Sequence, residues 1–148
     1  MKNSILLLTL FLITQFSSSQ TNCLPVSLRC EYLVNPLGID ATQPRFTWQL
    51  QDDRAGALQA AYRLIVGTDS IAVSTGTGNC WQTGKIISTS QLVTYAGISL
   101  QPFTRYYWAV QLWDKDGAET PLSGTVAFET GMMDEMNWKG FWIGDSRD

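Results

Sequence analysis

No histidine occurs among the 148 residues, and that single absence removes a large part of enzyme chemistry. The usual general base of serine and cysteine nucleophile systems is missing, as are histidine-containing zinc sites and the side chain that titrates near neutrality. Charge is also scarce: ten Lys and Arg stand against thirteen Asp and Glu, 16% of the chain, for a formal charge of −3. No basic run exists to neutralise a phosphate backbone, so a nucleic-acid partner is not expected. The three cysteines, Cys23, Cys30 and Cys80, form no C-x-x-C pair, and three scattered Cys without His do not make a usual metal site. No apolar run approaches the roughly 20 residues that a membrane span requires. The expectation is therefore a domain without metal, cofactor or membrane span, in which any chemistry would run on carboxylates, Lys, Tyr or Cys.

What is present is core material. Apolar residues make up 45% and aromatics 11%, with six Trp, five Tyr and six Phe, which argues against wholesale disorder. The length suits one domain and at most the start of another. Lys2 precedes a short apolar run from Ile5 to Phe16, followed by Ser17-Ser18-Ser19-Gln20, the order of a secretory leader cut after Ser19. Residues 1–19 are thus expected to be a signal peptide and the protein to be exported to the periplasm, the cell surface or the medium. Cys23 lacks the apolar and small residues that precede a lipidated cysteine, which favours simple secretion. In an oxidising compartment one cysteine pair could bridge and leave the third over. The spacing leaves the pairing open; Cys23 with Cys80 is the least constrained, and buried or unpaired thiols are the simpler expectation.

Beyond the leader the apolar residues recur at every second position, in short runs separated by Gly, Pro, Asn and Asp, which is the pattern of half-buried antiparallel strands. Phe46, Trp48 and Leu50 share one face of a strand that starts after Pro44. Tyr62, Leu64 and Val66 share a face of the next, which ends at a turn over Gly67-Thr68-Asp69. The longest run, 106–113, places Tyr106, Trp108, Val110 and Leu112 on one side and Tyr107, Ala109, Gln111 and Trp113 on the other, and Asp114-Lys115-Asp116-Gly117 closes it as a turn. Val126 and Phe128 mark a last strand, and 27–33, 85–88 and 91–95 are shorter candidates. About seven strands in some 110 residues predict an all-β, two-sheet sandwich. Trp48, Tyr62, Tyr106 and Trp108 are its expected structural core. Leu100-Gln101-Pro102-Phe103-Thr104-Arg105-Tyr106 has the form of a tyrosine corner, in which the Tyr106 hydroxyl bonds back to the upstream backbone. With Trp48 and Tyr62 it resembles a fibronectin type III or immunoglobulin-like sandwich, a likeness that implies a fold and no chemistry.

Three stretches point further: Leu28-Arg29-Cys30-Glu31-Tyr32-Leu33-Val34-Asn35-Pro36-Leu37-Gly38-Ile39-Asp40, then Pro44-Arg45-Phe46-Thr47-Trp48, then Arg105-Tyr106-Tyr107-Trp108 with Trp113-Asp114-Lys115-Asp116-Gly117. Together they resemble the N-terminal module of bacterial α-L-rhamnosidases of glycoside hydrolase family 78. The Asn35–Asp40 stretch is the most specific part, because a generic fibronectin-like domain has no need of it. Asn137-Trp138-Lys139-Gly140-Phe141-Trp142-Ile143-Gly144 is similar to the first strand of the next, jelly-roll-like domain of such enzymes, which implies a sandwich over 20–132 and a linker with an incomplete second domain over 133–148. The resemblance also implies that hydrolysis, which needs two carboxylic residues, belongs to a helical barrel far downstream. The expected function is then that of a non-catalytic accessory domain, a fragment of an exported enzyme that removes terminal α-L-rhamnose from glycans or glycosides, inactive by itself.

The carboxylates present fit that view. Asp52-Asp53-Arg54 and Asp114-Lys115-Asp116 read as solvated turns rather than catalytic pairs, and the latter lacks the later ligands of a calcium loop. The remaining candidate site is aromatic. Trp81, Tyr107, Trp113, Trp138 and Trp142 are not obviously consumed by the core, and could stack on a polysaccharide or touch neighbouring domains of a full-length rhamnosidase. Enrichment of aromatics in interface cores favours the second use. A free-standing carbohydrate-binding module, with Trp81, Tyr107 and Trp113 as possible contacts, and a cell-surface protein-interaction module are the competing readings.

Overall fold

A computed structural model of the protein describes residues 23–141. The expected signal peptide and Trp142 lie outside that range. The chain folds into two antiparallel sheets. One holds β1 (Leu24–Cys30), β2 (Arg45–Gln51) and β6 (Leu92–Thr94) in the order β1-β2-β6. The other is built on β3 (Gln59–Gly67) and β7 (Arg105–Asp114), with β8 (Val126–Glu129) beyond β7. The free edge of β3 is covered in two pieces, by β4 (Trp81–Gln82) against Ile65 and Val66 and by β5 (Ile86–Ile87) against Ala61 and Tyr62. This is the all-β two-sheet sandwich expected from alternation.

The facing sides pack as the period-2 pattern requires. Phe46 lies 4.7 Å from Trp108 and 5.7 Å from Phe128 between ring centroids, and Trp48 lies 5.4 Å from Tyr62. Trp48, Tyr62, Tyr106 and Trp108 are all buried. The Trp48 indole N–H donates to Gln59 Oε1 at 2.8 Å, and the buried Gln59 amide donates in turn to the carbonyls of Ser88 and Ser90. That chain of bonds satisfies the polar atoms which close packing would otherwise strand. The Gln101 N–H donates to the Tyr106 hydroxyl at 2.7 Å, closing the tyrosine corner.

Three features depart from the sequence expectation. The first strand ends at Cys30 rather than Leu33, because Glu31 and Tyr32 both take positive φ (48° and 63°) and turn the chain back, with Cys30 and Leu33 exchanging both backbone hydrogen bonds. That is the geometry of a tight type I′ hairpin turn, made here without glycine. Arg45 offsets its cost: the guanidinium donates to Glu31 Oε2 at 2.6 Å and lies 4.8 Å above the Tyr32 ring. Second, a five-residue helix, α1 (Ser70–Ser74), follows the Gly67–Asp69 turn, with the Asp69 carboxylate accepting from Ile71 N and Ala72 N. Five residues are too few to show helical periodicity. Together with Leu122, Val73 of α1 packs on Ile65, Ala109 and Tyr107, so the second face of β3 and β7 is buried rather than open to water. Third, residues 137–141 of the expected second-domain strand contain no strand; Glu135–Asn137 is a 3-10 turn capped by Asp134.

The cysteines are free and buried. Cys80 donates its N–H to Val66 O near one end of β3, whereas Cys23 precedes the β1 residue that pairs with Gln51, at the opposite end of the sandwich. Gln59 and Val66, which mark those two ends on β3, are seven residues apart, about 23 Å of extended chain. The pairing of Cys23 with Cys80 is therefore excluded by the fold.

Candidate functional site

The two ends of the sandwich differ in chemistry. At one end lie the start of β1, the end of β2 and the close of β7, where Arg54 draws together the turns expected to be solvated. Its guanidinium donates to Asp52 Oδ2 at 2.6 Å and to Asp114 Oδ2 at 2.7 Å, and both carboxylates are almost fully buried. Asp114 Oδ1 also accepts from the N–H of Asp116 and Ala118. Burial opposes ionisation of Asp114, yet the bonds from Arg54, Ala118 and Asp116 outweigh it and hold the carboxyl below its usual value. The hydrogen bonds from Arg54 hold Asp52 down to about 2. These acids are turns, as their sequence context indicates, but they are structural and ion-paired rather than solvated. With their oxygens engaged by Arg54 and, at Asp114, by backbone N–H groups, they serve as ion-pair partners and are poor candidates for a general acid near neutrality.

At the other end the chain leaves the sandwich, and here the Asn35–Asp40 stretch finds its use. It runs alongside the segment from Ala127 to Met133 and ties it down bond by bond. Asn35, at φ 46°, accepts through Oδ1 from Ala127 N at 3.0 Å, and Pro36 O accepts from Glu129 N at 2.9 Å. Ile39 N donates to Glu129 O at 2.9 Å, and Ile39 O accepts from Gly131 N at 2.7 Å, a parallel bridge. Asp40 Oδ1 then accepts from Met133 N at 2.8 Å. On the opposite side, Thr104 and Thr130 bond each other and Phe103 N donates to Gly131 O at 2.9 Å. The exit segment is thus held between two partners as far as Gly131, and by the strap alone at Met133.

Each motif residue has a physical task in this strap. Asn tolerates the left-handed backbone at position 35, and Gly38 takes φ 70°. Close approach requires Gly131, because a Cβ there would lie 2.6 Å from Asp40 Oδ1 and 2.9 Å from Gly38 O. Phe103 is the unexpected member: it holds φ 50° while its side chain is 71% exposed. The left-handed region costs a residue with a side chain about 1–2 kcal/mol, and no burial within the domain compensates. Sequence reasoning singled out the strap motif without seeing its partner, and passed over Phe103 as part of the tyrosine corner. Ion pairs flank the end, Arg45 with Glu31 at 2.6 Å and Arg105 with Glu129 at 3.3 Å. Side-chain hydrogen bonds from Arg45 hold the Glu31 carboxyl below its ordinary value against a smaller effect of burial.

The aromatic candidates do not converge. Trp81 packs edge-on to Tyr95 at 5.3 Å and joins the main core. Tyr107 lies partly buried in the α1 cluster beneath Arg105. Trp113, expected at the surface, is only 9% exposed, with Lys85 Nζ 4.5 Å above its ring. Tyr107 and Trp113 share a face of β7 but stand six residues apart, about 20 Å. Among the described residues they form no flat aromatic platform. Trp138 is exposed beside the exit. Among the described residues no cluster of potential metal ligands occurs, and no helix is long and apolar enough to cross a membrane.

Comparison with known proteins agrees with this architecture. Residues 25–134 match the model of the Rha78A-like N-terminal immunoglobulin domain. An alpha-L-rhamnosidase of Streptomyces avermitilis is 40% identical over 114 residues, 76% of this chain and 11% of the relative. One from Formosa agariphila is 33% identical over 147 residues, 95% of this chain and 15% of the relative. The solved alpha-L-rhamnosidase from Dictyoglumus thermophilum superposes with a TM-score of 0.81 at 39% identity, over 83% of this chain and 14% of that one. The chain thus spans about a seventh or less of these proteins, and what it matches in them is the N-terminal, non-catalytic domain. On the strength of that match and of a strap that occupies its most specific motif, the chain belongs to the family of Rha78A-like N-terminal immunoglobulin domains.

Proposed function

We propose that this domain is the N-terminal accessory module of an exported alpha-L-rhamnosidase, an enzyme that releases terminal α-L-rhamnose from glycans or glycosides, and that its task is to hold the succeeding domains in a fixed direction. The observation that carries this reading is the Asn35–Asp40 strap on the Ala127–Met133 segment. A domain that needed only its own stability would gain little from pinning the outgoing chain beyond its last strand; a domain that must orient its successor needs that restraint. Hydrolysis belongs to the rest of the enzyme, since the acids with lowered pKa here are consumed in ion pairs.

The test is a chimera in which the matched 114-residue segment of the Streptomyces avermitilis enzyme is replaced by the corresponding part of this chain. The chimera is expected to hydrolyse a chromogenic aryl α-L-rhamnoside at a rate close to that of the parent, while the 148-residue chain alone turns over none. An inactive or unassembled chimera would refute the accessory role. Export rests on Lys2, the Ile5–Phe16 run and the serines after it; amino-terminal sequencing of secreted material should begin at Gln20. A free-standing glycan-binding role draws less support, because Trp81, Tyr107 and Trp113 are packed apart from one another.

A further inference from the structure

The exit end carries a group of exposed apolar residues around the outgoing chain. Leu33 and Val34 are exposed beside the strap, Leu37 within it is 71% exposed, and Ile98 in the loop between β6 and β7 is 61% exposed. Phe103 completes the set from the far side of the exit segment. Between the 42–43 and 95–100 stretches and Met133 lies a hollow of about 230 Å³ with Ile98 in its lining, large enough for a side chain from another domain. The Arg45–Glu31 and Arg105–Glu129 pairs are neutralised in place, and the hollow itself is mixed, with Thr42, Gln43 and Ser99 beside Ile98 and Leu100; exposed apolar side chains among polar groups and satisfied charges suit a protein interface. The opposite end carries Asp52, Arg54, Asp114 and Asp116, already paired among themselves; Leu24 and Leu58 are exposed there, and Ile86 and Ile87 along the β5 edge, but the outgoing chain does not leave the sandwich at those positions.

We propose that this apolar end, with Leu37 and Phe103 on either side of the outgoing chain and Ile98 at the hollow, is the docking surface for the next domain of the longer proteins. The inference rests on the accessory role proposed above and names the partner and the face. Three observations identify the occupant. The chain leaves the sandwich through the middle of the patch, so a domain continuing from Met133 starts against it. The relatives continue far beyond the matched region, which makes up 11% and 15% of their lengths. Similarity to the Formosa agariphila protein extends over 147 residues, past position 134 where the domain model ends, so residues after the strap belong to the adjoining part of the protein. Among these, Met136 and Phe141 are exposed and would be covered by the same contact. The left-handed Phe103, costly and unburied within the domain, acquires a reason: it keeps an apolar ring at the surface until the neighbour buries it.

The experiment uses the chimera and the full 148-residue chain, each with and without the triple change Leu37→Ser, Ile98→Ser and Phe103→Asn. Asn is chosen at position 103 because it tolerates positive φ. The isolated chain should keep its unfolding midpoint within about 2 °C, as expected of surface positions. The active chimera should lose at least about 5 °C in its heat-inactivation midpoint and become sensitive to proteolysis after Met133. An active chimera whose midpoint and proteolysis are unmoved by the triple change would overturn the docking surface and leave the accessory role standing. Failure of the unsubstituted chimera would sink both. Dimerisation of the isolated chain in sedimentation, abolished by the triple change, would assign the patch to a second copy and also overturn the proposal.

Discussion

Replacing Gly131 by Ala tests the strap at its tightest point. The new methyl would lie 2.6 Å from Asp40 Oδ1, 2.9 Å from Gly38 O and 3.2 Å from Gly38 C. The Gly38 backbone cannot retreat cheaply, because Ile39 beside it is bonded to both Glu129 O and Gly131 N. The strap must therefore open, with loss of the Gly131 N–Ile39 O and Met133 N–Asp40 Oδ1 bonds. At about 1 kcal/mol net for each bond, with a smaller residual strain, the loss is about 2–3 kcal/mol. Reduced freedom of the unfolded chain returns about 0.4–1 kcal/mol, which leaves a net destabilisation of about 1–2.6 kcal/mol. For a domain of this size that corresponds to about 5–10 °C in the unfolding midpoint. Gly124→Ala is the control: no atom lies within 4 Å of the added methyl there, so this variant should be neutral or slightly stabilised. Urea unfolding followed by tryptophan fluorescence gives the energies, and hydrogen exchange should show faster exchange at Gly131 and Met133 in Gly131→Ala alone. Equal stability of the two variants, with unchanged protection at those amides, would refute the strap.

Trp48→Ala should cost about 3–5 kcal/mol, since it removes the ring against Tyr62 and leaves the buried Gln59 oxygen without its donor; a loss below about 1 kcal/mol in chemical denaturation would contradict the core assignment. Acid should destabilise the domain through the Arg54 cluster. Asp52, at about 2, and Asp114 are more acidic folded than unfolded, so their stabilisation is present above the unfolded value near 4 and is lost as pH falls from there toward 2. Midpoints measured between pH 6 and 2 should fall less steeply in Arg54→Met, and an identical acid slope in that variant would rule the cluster out. Burial, with a smaller effect of Glu31, pushes the Cys30 thiol up to about 12, and burial raises Cys23 and Cys80 as well. None should react with a thiol reagent at pH 8 until the protein unfolds, and rapid labelling of the native chain would show that a cysteine is accessible.

Much of this was legible along the chain because a strand writes its burial into alternate positions. Phe46, Trp48, Tyr62, Trp108 and Leu112 declare a common interior by spacing alone, and Tyr106 declares its corner by the residues before it. Local chemistry even marked Asn35–Asp40 as special. What the sequence could not carry were relations between distant segments. Asn35 meets Ala127 across 92 positions, Asp52 and Asp114 share one guanidinium, and Val73 covers a strand face that alternation alone would leave to water. Trp113 reads as a surface residue until Lys85 is placed over its ring, and Cys23 and Cys80 read as possible partners until the fold puts them at opposite ends. Periodicity is a local property of the backbone and survives in one dimension. Hydrogen-bond partners, ion pairs and the neighbours of each exposed residue depend on which strands lie side by side, and only the tertiary structure decides that.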